Sequence, residues 1–254
     1  MKSMKKKSES VVIVILAAGK GTRMRSDKAK VLHAICGRPM ILHVVHTAIR
    51  VAGKEVVIVV GHQAEKVKEV VSREADVLFA MQKEQKGTGH AVKSALPVLP
   101  EYSTQVIILS GDVPLIKAAT VNELLDLHLN RQNDITVLGV RFENPFGYGR
   151  IVVSDDGVVE KIVEETDATE SQKQITIVNS GIYCVRKHFL EISLSQIQSN
   201  NNQNEIYLTD IVQVARNQEK KIGLMICRDK NEVQGINTPK DLLDIESIMI
   251  ESRK

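Results

Sequence analysis

The run Val11-Val12-Ile13-Val14-Ile15-Leu16-Ala17 is apolar throughout, mostly β-branched, and leads directly into Gly19-Lys20-Gly21. A run of this length without polar alternation must be covered on both faces, which is the situation of a central strand in a parallel sheet. Lysines at 2, 5, 6 and 7 precede it, so the first 18 residues imitate the basic and apolar regions of a signal peptide. An apolar stretch of about eight residues that passes straight into a glycine-bearing basic loop reads better as a buried strand. Elsewhere no apolar stretch reaches the ~18 residues of a membrane span. A cytoplasmic protein without a membrane segment is expected.

Related runs recur along the chain. The pattern predicts strands over 11–17, 56–60, 77–80, 106–109 and 135–140, with helices near 40–52, 64–71 and 120–130. Alternation at this pitch implies right-handed βαβ units and a mostly parallel sheet. The second half reads as a mixed region. It has strands over 151–153, 158–163 and 175–185, a polar Asn/Gln-rich loop over 195–205, and helices near 208–217 and 240–250. The expected class is therefore α/β, a Rossmann-like mixed but mostly parallel sheet flanked by helices. No linker or internal repeat interrupts residues 11–254, which read as one domain behind a disordered basic tail at 1–10.

Charge narrows the function. Of 34 basic and 31 acidic residues, the first ten hold four lysines against Glu9, leaving 30 of each sign in the body. A neutral body carries no electrostatic footprint for nucleic acid. Aromatics at 3% with no Trp leave no stacking platforms for bases of a single strand. Cys36, Cys184 and Cys227 form no CxxC pair and read as small core residues of a reducing compartment. His43 and His46 are three apart on a predicted helix, but no third ligand lies nearby, so no metal role is assigned to them.

The segment Leu16-Ala17-Ala18-Gly19-Lys20-Gly21-Thr22-Arg23-Met24 is a glycine loop after a strand. Successive N–H groups in such a loop form an anion nest, and Arg23, Lys28 and Lys30 add positive charge. It is neither Walker A nor GxGxxG. Asp112 closes the apolar strand 106–109, at the end of a parallel strand where open sheets bind ligands. The next helix has its own capping box in Thr120-x-x-Glu123, which frees Asp112 to bind a cation such as Mg²⁺. Asn237 stands just outside a helix for which Thr238 suits the N-cap, Pro239 N1 and Asp241 N3. Gln82 to Ala91 form a second glycine-bearing loop whose glutamines could meet a base edge, with N-capping by Thr88 as the plainer alternative. No Ser/His/Asp or Cys/His nucleophile is present, which suits phosphoryl or nucleotidyl transfer by positioning and charge stabilisation.

Taken in order, these segments resemble the sugar-1-phosphate nucleotidyltransferases, and within them the uridylyltransferase half of the bacterial bifunctional N-acetylglucosamine-1-phosphate uridyltransferases. The resemblance rests on residues 16–24, Lys30-Val31-Leu32-His33, Gln82 with Gln85-x-Gly87-Thr88-Gly89-His90-Ala91, and Gly111-Asp112-Val113-Pro114-Leu115. It continues through Gly147-Tyr148-Gly149-Arg150-Ile151, Ile162-Val163-Glu164, Val178-Asn179-Ser180-Gly181, Tyr207-x-Thr209-Asp210 and Gly235-Ile236-Asn237.

The resemblance implies the nucleotide-diphospho-sugar transferase fold, with UTP and N-acetylglucosamine-1-phosphate as substrates. By it, Leu16, Ala17, Ala18 and Gly19 line the nucleotide, Gln82, Gly87 and Thr88 read uracil, and Arg23 and Lys30 are the catalytic cations on the triphosphate. Asp112 and Asn237 would bind Mg²⁺, and Gly149, Glu164 and Asn179 would grip the sugar. Three positions depart from the pattern: Ala29 stands for a proline, Ile206 for a tyrosine, and Ser110 for a tyrosine found in some relatives. The relatives' acetyl-transferring β-helix has no counterpart in 11–254, so neither acetyl transfer nor a trimer built on that helix is expected. A monomer or weak dimer is expected. The rival readings are another sugar or nucleotide (for example glucose-1-phosphate with dTTP), a non-catalytic nucleotide-sugar-binding module, and nucleic-acid binding through the lysine tail.

Overall fold

A computed structural model describes residues 10–252, so the basic tail expected at 1–10 lies outside the described residues except for Ser10. The first strand, β1 (Val11–Ala17), is buried along almost its whole length, as its composition demands. On one side it pairs in parallel with β4 (Val56–Val60) and on the other with β6 (Gln105–Ser110). β5 (Leu78–Met81) extends the sheet beyond β4, also in parallel. A two-residue hairpin, β2 (Ala34–Ile35) with β3 (Arg38–Pro39), lies apart from the main sheet.

The second half joins the same sheet. β10 (Ile177–Arg186) runs antiparallel to β6 and to β7 (Ile135–Arg141), and β11 (Ile222–Ile226) runs parallel to β7 at the edge. The strand order is β11-β7-β10-β6-β1-β4-β5, with β8 (Arg150–Val153) and β9 (Val159–Val163) branching from the outer end of β10. The mixed, mostly parallel sheet expected from the sequence is what forms. Among the longer elements, β11 and the helix α6 (Lys187–Gln196) escaped the sequence pattern.

Helices cover both faces. α1 (Met40–Ala52), α2 (Ala64–Ser72) and α4 (Ala118–Asn130) bury Ile41, Val67 and Leu124 against Ile13 and Ile15. α3 (Thr88–Ala95), α6 and α7 (Asp210–Asn217) bury Val92, Leu190 and Ile211 against Val12 and Val14. Successive residues of β1 thus feed opposite cores, and each buried Val or Ile contributes about 1.5–3 kcal/mol. A short α5 (Glu170–Lys173) follows β9, and α8 (Pro239–Glu251) closes a third cluster with Met24, Ile35 and Met40. No helix among the described residues is long and apolar enough to cross a membrane.

Two local expectations fail. α4 starts at Ala118 after Lys117, with no side-chain cap, and Thr120 instead donates its hydroxyl to Glu232. Thr88 likewise does not cap α3, since Gly87 holds the N-cap position and the Thr88 hydroxyl accepts from the Leu208 N–H at 3.0 Å. In both cases a tertiary partner takes the hydroxyl from the local backbone.

Candidate active site

The loop after β1 folds back over Lys30. Gly21 sits at φ +64°, and a Cβ there would come within 2.5 Å of the Lys30 side chain, so glycine is what lets the loop close. Beside it, β6 ends at Ser110, and the Gly111 N–H bonds the Leu16 carbonyl at 2.9 Å, setting Asp112 next to the loop. The Ile236 N–H then bonds the Asp112 carbonyl at 2.9 Å, bringing the segment before α8 to the same place. Thr238 and Asp241 form the capping box predicted for α8, and Asp241 also accepts the Asn237 N–H at 2.9 Å. The Asn237 side chain stays out of the helix.

That side chain completes a four-residue cluster. The Asn237 Oδ1 accepts from Arg23 Nη2 at 2.9 Å and from Lys30 Nζ at 3.1 Å, while Lys30 forms an ion pair with Asp112. Arg23, Lys30, Asp112 and Asn237, singled out separately in the sequence, converge.

Two cavities meet at this cluster. One, of about 390 Å³, is lined by Arg23, Asp112, Gly149, Glu164, Asn179 and Asn237 among others. The second, of about 480 Å³, is lined by Leu16, Ala17, Ala18, Gly19, Lys30, Gln82, Gly87 and Thr88. Leu16, Thr88, Ser110 and Asp112 belong to both walls. The sugar-assigned Gly149, Glu164 and Asn179 line only the first cavity, and Ala17, Ala18, Gly19, Lys30, Gln82 and Gly87 only the second, while Leu16 and Thr88 line both and Arg23 the first, with Asp112 at the seam.

In the first cavity a bulge in β10 between Asn179 and Ile182 breaks the regular pairing with β7. Gly181 takes φ +76°, its N–H bonds Asn179 Oδ1 at 3.1 Å, and Ser180 donates to the Leu138 carbonyl at 2.6 Å. The Asn179 N–H bonds the Gly149 carbonyl at 2.8 Å, and a Cβ on Gly149 would lie 3.1 Å from Glu164 Oε2. Burial raises the Glu164 carboxyl above its ordinary pKa; the Thr209 hydroxyl, donating at 3.2 Å, pulls it back, and the charges of Asp210, Asp167 and Glu205 raise it further. Asp210 is itself pushed up to about 6 by burial and by Asp167. This end of the cavity is rich in acceptor oxygens, the chemistry that holds hydroxyl and amide N–H groups.

In the second cavity Gln82 is 3% exposed, and its backbone N–H bonds the Val60 carbonyl at 2.8 Å. Gly87 adopts φ +98°, and a Cβ there would approach the Ile206 carbonyl to 2.6 Å. The Gly89 N–H donates to the same Ile206 carbonyl at 2.8 Å, so the glycines allow the loop at the start of α3 to pack against residues 205–208.

Residues 12–246 match the family model described as nucleotidyl transferase. The chain belongs to that family. It is 45% identical over 240 residues to the bifunctional protein GlmU of Geotalea uraniireducens, covering 94% of this chain and 52% of that protein. It is 40% identical over 237 residues to the bifunctional protein GlmU of Desulfotalea psychrophila, covering 93% of this chain and 70% of that one. The chain spans about half the length of most of the curated relatives it matches. Among solved structures, a putative glucose-1-phosphate thymidylyltransferase from Bacillus anthracis in complex with a sucrose superposes with TM-score 0.71 at 17% identity, covering 94% of this chain and 95% of that one. HddC from Yersinia pseudotuberculosis, complexed with GMP-PN, gives 0.69 at 20%, covering 93% and 98%. At these identities the likeness establishes the nucleotidyltransferase fold.

Several residues lining these two cavities had no role assigned from sequence. Ser110 borders both cavities, Glu205 the second, and Tyr148, Thr209 and the 76% exposed Phe146 the first. Thr209 stood in a recognised segment, but its bond to Glu164 joins positions 45 apart and has no local signature. The two histidines of α1 take other partners: His43 Nε2 lies 3.4 Å from the Ile35 carbonyl, and His46 contacts Arg38 and Glu74.

The donor set suits a hard divalent cation. Asp112 offers a carboxylate and Asn237 an amide oxygen, and the Lys30 ammonium already bridges the two as a cation would. Mg²⁺ typically takes one or two protein oxygens and completes its shell with water and phosphate. Among the described residues no group of three or more His, Cys, Asp or Glu could hold a metal ion.

Proposed function

We propose that the protein transfers the uridylyl group of UTP to N-acetylglucosamine-1-phosphate, giving UDP-N-acetylglucosamine and pyrophosphate, in the cytoplasm and with Mg²⁺. The observation that carries this reading is the seam: Asp112, Lys30, Arg23 and Asn237 cluster where the two cavities share a wall. A nucleotide in one cavity and a sugar phosphate in the other would place the α-phosphorus and the attacking oxygen at that cluster. Family membership and 40–45% identity to bifunctional relatives support the reaction class.

The nucleophile needs no protein base. A sugar phosphate has a second pKa of about 6 and is largely dianionic at pH 7. Its oxygen forms the new bond to the α-phosphorus as the bond to the bridging β-phosphate oxygen breaks, and pyrophosphate departs with that electron pair. Arg23 and Lys30 neutralise the charge that builds on the triphosphate, and the N–H groups of the Gly19–Gly21 loop donate to phosphate oxygens. Asp112 and Asn237 would hold Mg²⁺, which when bound supplies further charge neutralisation at the reacting phosphate. Gly149, Glu164 and Asn179 orient the sugar. Gln82, Gly87 and Thr88 orient the base. The described residues form one nucleotidyltransferase unit that works on small-molecule substrates as a monomer or weak dimer, without nucleic acid or membrane.

The test is pyrophosphate release from UTP and Mg²⁺ with N-acetylglucosamine-1-phosphate, with glucose-1-phosphate and without sugar. Release with the N-acetylated sugar alone is expected. Release with glucose-1-phosphate alone, or with dTTP in place of UTP, keeps the mechanism and changes the substrate. Binding with no turnover of any pair makes the protein a nucleotide-sugar-binding module.

A further inference from the structure

The Gln82 carboxamide is held in one orientation. Its Nε2 donates to the Gly87 carbonyl at 3.1 Å and contacts His90 Nδ1 at 3.1 Å. A primary amide has two N–H donors and one carbonyl acceptor, so these two bonds use both donors and leave Oε1 for whatever enters the cavity that Gln82 lines. Turning the amide over would set Oε1 against the Gly87 carbonyl, exchanging a bond for a repulsion, so the carbonyl fixes the amide and His90 Nδ1 meets it as an acceptor. His90 itself lies one turn into α3, and its Nδ1 accepts only if the ring is neutral with its proton on Nε2. Nothing in the proposed chemistry calls on this histidine.

We propose that His90 is a positioning residue: with the Gly87 carbonyl it locks the Gln82 amide oxygen toward the base, and so selects pyrimidines that carry an N3–H. The inference rests on the nucleotidyl-transfer reading and deepens it. Uracil and thymine present N3–H, which Oε1 accepts. Cytosine presents a bare N3 lone pair, which the same oxygen repels, and a buried polar atom left without its partner is costly enough to discriminate. A base that kept its carbonyls but lost the N3 proton would be rejected for the same reason. His90 would touch no substrate and would act only through Gln82.

The test compares kcat/KM for UTP, CTP and N3-methyl-UTP in the wild-type protein and in His90→Leu and His90→Asn. Wild type is expected to prefer UTP over both alternatives by at least tenfold. His90→Leu frees one amide donor, and the UTP-to-CTP ratio should fall about fivefold or more, while the KM for the sugar phosphate stays put. His90→Asn places an oxygen acceptor near the position of Nδ1 and should restore most of the ratio. The idea is overturned if wild type uses N3-methyl-UTP as well as UTP, a result that needs no variant to fold. It is equally overturned if His90→Leu keeps the wild-type ratio, or if His90→Asn is as relaxed as His90→Leu. Absence of turnover with every nucleotide would instead bring down the nucleotidyl-transfer reading, and this inference with it.

Discussion

The guanidinium of Arg23 donates to the side-chain oxygen of Asn237 at 2.9 Å, joining positions 214 residues apart. Lys30 meets the same oxygen at 3.1 Å and pairs with Asp112. The first loop and the last loop of the fold are thereby tied at the end of the central strands, where the two cavities join.

Asp112→Asn keeps the size of the side chain and removes its charge. Because Asp112 supplies the only carboxylate in this cluster, kcat should fall at least ~10²-fold. Pyrophosphate release under saturating substrates measures this. The same variant should bind Mn²⁺ more weakly in the presence of UTP, read by electron paramagnetic resonance. Near-normal turnover would remove Asp112 from the proposed machinery.

Glu164→Ala should raise the KM for the sugar phosphate about tenfold, equivalent to about 1.4 kcal/mol, and leave the KM for UTP unchanged. The pH dependence has a definite sign. Burial lifts the Glu164 carboxyl, so it protonates at higher pH than an ordinary glutamate and loses its acceptor charge sooner on acidification. Wild-type affinity for the sugar phosphate should weaken as pH drops toward that raised value, and the Ala variant should lack this component. Steady-state kinetics against each substrate at several pH values separate the effects.

Arg150 is 1% exposed and pairs with Glu165 at 2.8 Å, while Glu165 accepts the Gly147 N–H at 3.0 Å. The guanidinium also bonds the Tyr148 carbonyl, so one buried cation holds the loop that carries Gly149. Arg150→Ala strands these acceptors and should cost about 3 kcal/mol, with a higher KM for the sugar phosphate. For a chain of this size the melting temperature should drop by roughly 6–12 °C. Arg150→Lys should recover part of both losses, and calorimetry with kinetics reads them.

His128 is buried between Thr136, 2.9 Å from Nδ1, and the Gln105 side-chain oxygen, 3.0 Å from Nε2. Burial, with a smaller push from Arg186, holds its pKa down to about 4 against 6.5 for a free histidine. The unfolded chain therefore binds this proton first as pH falls. Stability from this group is complete above pH 6.5 and lost between about 6.5 and 4, up to about 3 kcal/mol. Urea unfolding at pH 7.5 and 4.5 should show this loss, and His128→Gln should show a smaller one.

Where local pattern governs, the sequence is legible. Strand 11–17, helix 40–52 and strand 56–60 form at the predicted residues, because unbroken β-branched runs and helical spacing are short-range signals. β11 is not legible in this way: Ile-Gly-Leu-Met-Ile is short and interrupted by glycine, and it becomes a strand by pairing with β7. The helix α6 hides in a mixed segment whose apolar residues Phe189, Leu190 and Leu194 show a face only once the sheet is there to cover it. Thr120 and Thr88 had plausible local capping roles, and each was claimed by a partner more than 100 residues away.

By itself, the sequence determined the α/β class, the central strands, the glycine loops that end them and the chemical types gathered at the site. It also set the capping of α8 that leaves Asn237 spare, since Thr238 and Asp241 are neighbours along the chain. Only the tertiary structure decided that Lys30 faces Asp112, that Thr209 bonds Glu164 and that His90 contacts the Gln82 amide nitrogen. Periodicity and capping reach a few residues along the chain. Side-chain pairing across tens to hundreds of residues depends on strand order and on which face each strand presents, and these exist only after the sheet has assembled.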